Sequence, residues 1–136
     1  MILLDTSVII DVLRKKTDTL EKISSFGIIP LVTSEICIME LIYGLYGNKK
    51  IVSQSDVLKK RLSDIEKLCN KLIILQFDRA CSLKTGEIMG RLKISGNLID
   101  FRDGMIACSA LANGIKQIYT LNISHFEKIK ELEVIK

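Results

Sequence analysis

Tryptophan is absent from this 136-residue chain, and proline and histidine occur once each. A single imidazole, His125, cannot supply the paired acid and base by which metal-free enzymes commonly cleave RNA, nor the clustered ligands of a zinc site. The four cysteines, Cys37, Cys69, Cys81 and Cys108, form no CxxC pair, and Cys37 and Cys108 fall inside apolar helical patterns. They read as buried free thiols in a reducing compartment. No uncharged apolar run approaches the roughly 18 residues needed to cross a bilayer. Residues 1–5 carry no basic lead before the first acid, which argues against a signal peptide. No repeat or linker interrupts the chain. The expectation is a soluble, cytoplasmic protein folded as one domain over residues 1–136, with no membrane association.

What is abundant is Ile, Leu and Val. Hydrophobic residues make up 48% of the chain and aromatics only 5%, a composition suited to helices covering a buried parallel sheet. Short apolar runs at 1–4, 28–32, 72–77, 115–120 and 132–135 read as strands, with Pro30 marking a strand start or an edge. Helices are expected over 8–15 behind a Thr6 or Ser7 cap, over 18–26, over 35–46 behind Thr33 or Ser34, over 79–93 behind Asp78, and over 100–112. Gly47 and Asn48 supply left-handed residues that end the third of these. Residues 49–70 read as one long charged helix with Val52, Val57, Leu58, Leu62, Ile65 and Leu68 on its apolar side. Strands alternating with helices require crossovers, hence an α/β fold with a mainly parallel sheet of four to five strands and helices on both faces. Such sheets place ligands at the strand carboxyl ends.

Three acids stand out against this pattern. Asp5 closes the first strand, where by itself it reads as the cap of the next helix. Glu40 is the one charge between Ile36 and Tyr43, and both of those neighbours at helical spacing are apolar, so a cationic partner resolves the cost of burying it. A solvent-facing stripe is the plainer alternative. Asp103 opens a run of small and apolar residues, 104–112, that must be almost wholly buried. Asp100 lies one turn earlier and can be the cap that leaves Asp103 to point inward, although the reverse assignment stays open. Carboxylates that converge repel one another unless a cation sits among them. Oxygen ligands without thiolate or imidazole select Mg²⁺ or Mn²⁺, which take further ligands from water and substrate phosphates. Phosphoester chemistry with a metal-activated water is the expectation.

The net charge of +4 is mild, but Lys49, Lys50, Lys59, Lys60, Arg61, Lys67 and Lys71 concentrate it. That region is either a solvated helix face or a surface that meets a polyanion. Arg14, Lys15 and Lys16 join it as candidate phosphate contacts.

The stretch Ile2-Leu3-Leu4-Asp5-Thr6-Ser7-Val8-Ile9-Ile10-Asp11 is followed by Ser34-Glu35, Glu40-Leu41 and Tyr43-Gly44. Then come Asp103-Gly104-Met105-Ile106-Ala107-Cys108, Thr120-Leu121-Asn122 and His125-Phe126. In order and spacing these resemble PIN-domain nucleases of the VapC toxin type. The resemblance implies a three-layer α/β/α PIN fold, Mg²⁺- or Mn²⁺-dependent endoribonuclease activity, homodimerisation and inhibition by a cognate antitoxin. Carried over residue by residue, Asp5, Glu40 and Asp103 resemble the family's metal-binding acids, with Thr6 or Ser7 supporting the first. Asn122 falls where many members have a fourth acid. There the resemblance implies a weaker hold on metal, with Asn122 orienting a water or substrate oxygen at the catalytic site. His125 with Phe126 is similar to a tail motif and reads as a loop histidine supporting the strand end. The main alternative is a catalytically weak or inactive PIN-fold module that binds RNA or protein. A receiver-like phosphoacceptor, suggested by Asp78, lacks the adjacent acid pair after the first strand. A DNA-directed nuclease needs elements for which the chain has little room.

Overall fold

In the computed structural model, which describes residues 1–136, the first apolar run becomes the middle of a sheet. The strands are β1 (Ile2–Leu4), β2 (Leu31–Ser34), β3 (Ile73–Leu75), β4 (Gln117–Tyr119) and β5 (Glu133–Ile135). Between them lie α1 (Thr6–Leu13), α2 (Thr17–Ser24), α3 (Glu35–Tyr46), α4 (Lys49–Val52), α5 (Ser55–Cys69), α6 (Arg79–Ile94), α7 (Phe101–Ala112) and α8 (Ile123–Phe126). The order is β3-β2-β1-β4-β5, and every neighbouring pair is parallel. From β1 the chain winds outward through β2 and β3, then crosses back to β4 and β5 on the other side. Right-handed crossovers running in opposite directions put α1–α5 and α6–α8 on opposite faces. The carboxyl end of β1, beside β4, is therefore the topological switch point, where a crevice opens for a ligand.

Ile2, Leu3, Leu4, Val32 and Ile118 are all buried, and the core continues through Val8, Ile9, Ile106, Phe126 and Ile129. The α/β expectation holds, but several local readings do not. Strand β2 starts at Leu31, not at residue 28, and Ile28 is fully exposed. Pro30 does not mark an edge, because β2 lies between β1 and β3. It stands just before the strand, where its missing N–H is not needed, and its carbonyl accepts from Ile2 N at 3.1 Å. The third run is an edge strand with Ile73 half exposed, so it is not fully buried.

The charged helix expected over 49–70 is two helices. Ser53 Oγ and Gln54 Nε2 both donate to Lys50 O, at 3.0 and 2.9 Å, and these local bonds compete with helix propagation. The break rotates the register, so Ile51 packs on the core and Val52 faces outward. Gly47 has φ −81° and is not left-handed; glycine there avoids a tight contact, since a Cβ would stand 3.0 Å from Tyr43 O. Ser34 and Asp78 cap α3 and α6 through the N–H groups of Ile36 and Cys81, and the Asp78 carboxylate is thereby engaged structurally. All four cysteines are free; Cys37, Cys81 and Cys108 are buried and Cys69 half-buried. No helix is long and apolar enough to cross a membrane.

Helices α6 and α7 pack closely because Gly104 presents no side chain. A Cβ at Gly104 would fall 2.4 Å from the Met89 sulfur and 3.0 Å from its Cγ, and Met89 is itself only 2% exposed. Met is adaptable, but a side chain this buried must displace core neighbours to make room. Gly104→Ala is therefore expected to destabilise the protein by about 1–3 kcal/mol through overpacking, outweighing the gain of about 1 kcal/mol in helix propensity. Urea unfolding checks this, and an unchanged or raised midpoint refutes the close packing.

Candidate active site

Four elements deliver polar side chains to the switch point. Asp5 follows β1 and is 2% exposed. Its backbone occupies the N-cap position of α1, yet its carboxylate makes no capping bond. Thr6 and Ser7 do not cap the helix either. Instead Ser7 Oγ donates to Asp5 Oδ2 at 2.9 Å, and Thr6 Oγ1 donates to Glu40 Oε1 at 2.8 Å. Glu40 comes from the second turn of α3, with a side chain 19% exposed. Asp103 comes from the first turn of α7, with a side chain 13% exposed. The cap of that helix is Asp100, which accepts from Arg102 N at 2.9 Å, so Asp103 is left to face the site.

Each acid engages one oxygen with the protein. Asp5 Oδ2 takes both Ser7 Oγ and Thr120 Oγ1, the latter at 2.7 Å. Glu40 Oε1 takes Thr6, while Glu40 Oε2 has only the Arg102 guanidinium, 3.8 Å away. Asp103 Oδ2 shares a bond of 2.7 Å with His125 Nδ1. The second oxygen of each carboxylate holds no hydrogen bond. Outer partners that fix one oxygen in this way orient the other toward a ligand.

His125 is thus not simply a loop residue supporting a strand end. It lies on the single turn α8, which sequence patterning did not register, and pairs directly with Asp103. The support for the strand end comes from Ser7 Oγ, which accepts from Leu121 N at 3.1 Å. The Asn122 side chain makes no hydrogen bond to any of the three acids. The residue is exposed, its side chain makes no capping bond, and its N–H donates to Thr120 Oγ1 at 3.0 Å. Its link to Asp5 runs through Thr120.

The carboxylates feel one another. Burial pushes the Glu40 carboxyl above its usual range, with Asp5 and Asp103 adding to the push and Thr6 and Arg102 opposing it. Asp103 is raised for the same first reason, with Asp5 adding and His125 opposing. A carboxyl raised on folding adds stability below its unfolded pKa, and that contribution disappears as pH rises through the folded value. In divalent-free buffer both groups therefore burden the fold near neutrality and relieve it in mild acid. Glu40→Gln keeps an oxygen for Thr6 and removes the charge. Its thermal midpoint at pH 7 is expected to rise by about 2–5 °C, with the gain shrinking as pH falls toward the usual carboxylate range. A lowered midpoint at pH 7 contradicts the assignment.

As a donor set, three carboxylates with free oxygens and no thiolate suit a hard divalent cation such as Mg²⁺ or Mn²⁺. In this structure, however, no group of three Asp, Glu, His or Cys side chains is placed closely enough to hold a metal ion, so Asp5, Glu40 and Asp103 reach the same end of the sheet without forming a metal site by themselves.

A family model described as PIN domain matches residues 2–132. The chain belongs to the PIN-domain family. It is 34% identical to Ribonuclease VapC1 of Methanocaldococcus jannaschii, over 96% of this chain and 82% of that one. It is 26% identical to tRNA(fMet)-specific endonuclease VapC of Salmonella typhimurium, over 97% and 94% of the two chains. The solved structure of VapBC-1 from nontypeable Haemophilus influenzae matches it with a TM-score of 0.81 at 28% identity, covering 100% of this chain and 98% of the other. The resemblance to VapC-type PIN domains is thus borne out, as is the PIN fold.

Within this PIN site, sequence reasoning overlooked Arg102 and gave Thr120 no role. Arg102 directly precedes an acid at a buried helix mouth, which was the available signal. Thr120 gave none, because a hydroxyl after a strand is equally at home as a turn residue.

Proposed function

We propose that the chain is a Mg²⁺- or Mn²⁺-dependent endoribonuclease, acting as a single PIN domain over residues 1–136 and as the toxin of a toxin-antitoxin pair in the cytoplasm. The observation that carries this reading is the set of half-engaged carboxylates, Asp5, Glu40 and Asp103, at the switch point of the sheet. The ribonuclease and endonuclease names of the VapC relatives support the reaction class.

Asp5 and Asp103 would hold the ion, with Glu40 completing the site directly or through a water. Ser7 and Thr120 hold Asp5, and His125 holds Asp103, so that the open oxygens stay aimed. When bound, the ion supplies an activated water and neutralises charge on the phosphoryl oxygens. Asn122, exposed at the mouth, orients a water or substrate oxygen. Arg14, Lys15, Lys60 and Arg61 line an open cleft with Asp56 and Asp64, the latter paired with Lys60 at 2.9 Å, and this cleft shares Arg14 and Arg61 with the cavity that reaches Glu40; its cations are the candidate contacts for the RNA backbone. A neighbouring cavity of about 250 Å³ runs from Glu40 over Leu13, Leu41 and Ile65 to Arg14 and Arg61, and its mixed lining suits a segment of the antitoxin. A homodimer follows from the resemblance to VapC toxins.

Incubation of the purified protein with mixed-sequence RNA tests the reading. Cleavage is expected with Mn²⁺ or Mg²⁺, lost in chelator and restored by Mn²⁺, leaving 5′-phosphate and 3′-hydroxyl ends because no step uses the ribose 2′-hydroxyl. Cyclic phosphate products, or cleavage undiminished in chelator, refute it. The neutral Asn122 favours one rival, a PIN-fold binding module. An inert wild type that still retains RNA decides for that rival.

A further inference from the structure

Arg102 lies in the first turn of α7, one residue before Asp103, with its side chain 48% exposed. A single carboxylate oxygen fixes it at two points. Asp100 Oδ1 accepts from Arg102 N at 2.9 Å and from Arg102 Nε at 3.3 Å. The far end of the side chain is not engaged in the same way. The nearer terminal nitrogen stands 3.8 Å from Glu40 Oε2, too far for a hydrogen bond. Of the five guanidinium N–H donors, only the Nε proton has an acceptor, and the terminal fork remains open at the rim of the acid site.

An exposed Arg-Asp pair by itself contributes little to stability, about 0–1 kcal/mol, and Asp100 already has a task as helix cap. A surface ion pair explains Nε but not why the fork leans toward Glu40, where the acids gather. Charge supplies a reason. Asp5, Glu40 and Asp103 together carry three negative charges when ionised, a divalent cation offsets two, and one remains to repel an incoming phosphodiester. Arg102 offsets that one, while Asp100 is balanced by the positive end of the helix it caps. A planar guanidinium with both terminal nitrogens open matches the two non-bridging oxygens of a phosphate.

Resting on the nuclease reading, we propose that Arg102 is a further catalytic residue whose terminal nitrogens contact the non-bridging oxygens of the scissile phosphate. Asp100 is its positioning partner. No bond to Arg102 forms or breaks, and its work is to stabilise negative charge on the phosphoryl oxygens as the attacking and leaving oxygens exchange.

The test compares wild type, Arg102→Gln and Arg102→Lys on an end-labelled, mixed-sequence single-stranded RNA with Mn²⁺, alongside manganese titration and thermal melting of each protein. Arg102→Gln is expected to keep its fold, lower kcat about 10- to 100-fold, and change KM and manganese affinity less than about threefold. Arg102→Lys, which keeps the charge without the fork, recovers only part of the loss. Equal activity in Arg102→Gln overturns the proposal. Faster cleavage with tighter manganese uptake also overturns it, by making Arg102 a cation that competes for the metal's place. Activity that falls in parallel with manganese affinity overturns it too, since Arg102 then acts through Asp103. An inert wild type refutes the nuclease reading and the Arg102 role together. An active wild type with an equally active Arg102→Gln refutes the Arg102 role alone.

Discussion

Asp5→Asn is expected to lower RNA cleavage by at least about 1,000-fold while leaving the protein folded. Asp5 is the most buried of the three acids and the only one held by two hydroxyls, Ser7 and Thr120, on the same oxygen. An amide at this position still offers a carbonyl oxygen to those hydroxyls, so the local hydrogen bonds survive. What changes is the free end, where an NH₂ group replaces a carboxylate oxygen. That group cannot ligate a cation and brings partial positive charge to the place where the ion belongs. Removing a buried charge relieves desolvation, so the melting temperature should hold or rise. Cleavage assays with Mn²⁺, paired with circular dichroism, check both parts. A folded Asp5→Asn protein that cleaves within tenfold of wild type removes Asp5 from the chemistry.

Thr120→Val carries the second large effect, and it acts on stability and cleavage together. Thr120 is 1% exposed, and its hydroxyl donates to Asp5 Oδ2 while accepting from Asn122 N. Valine fills the same volume without the hydroxyl, leaving Asp5 with one donor and the Asn122 N–H without its acceptor. A loss of about 1–3 kcal/mol in stability follows from the unmet polar groups. A fall of about 10- to 100-fold in cleavage follows from the misaimed Asp5 oxygen. Thr120→Ser returns the hydroxyl and should restore most of both, which separates the hydrogen bond from the packing of the methyl group. Urea unfolding and RNA cleavage provide the two measurements. Wild-type cleavage by a destabilised Thr120→Val protein shows that the hydroxyl serves the fold alone.

The parallel α/β class was legible in the chain because β-branched and leucine-rich runs at 1–4 and 115–120 are too short for helices and too apolar for loops. Strand edges were less legible. Pro30 read as a strand start or an edge; it stands just before the start of β2, which is interior, because the N–H it lacks is not needed there while its carbonyl still accepts from Ile2 N. The single helix read over 49–70 failed for a related reason. Its apolar spacing continues across the break, while the two side chains that bond Lys50 O act within one turn and leave no periodic trace.

Glu40 and Asp103 stood out because a charge set in an apolar stretch of sequence is an energetic anomaly, whereas Asp5 by itself read as a helix cap and gained weight only beside the other two. Their partners could not be picked out. Thr6 and Glu40 are 34 residues apart, Thr120 and Asp5 are 115 apart, and a hydroxyl near a helix start reads as a cap until its real acceptor is known. His125 likewise read as a strand-end support until its contact with Asp103 appeared. Burial cost is a property of a residue and its immediate neighbours, so it is written along the chain. Which oxygen a donor reaches depends on how crossovers stack distant segments at one end of the sheet, and only the folded arrangement decides that.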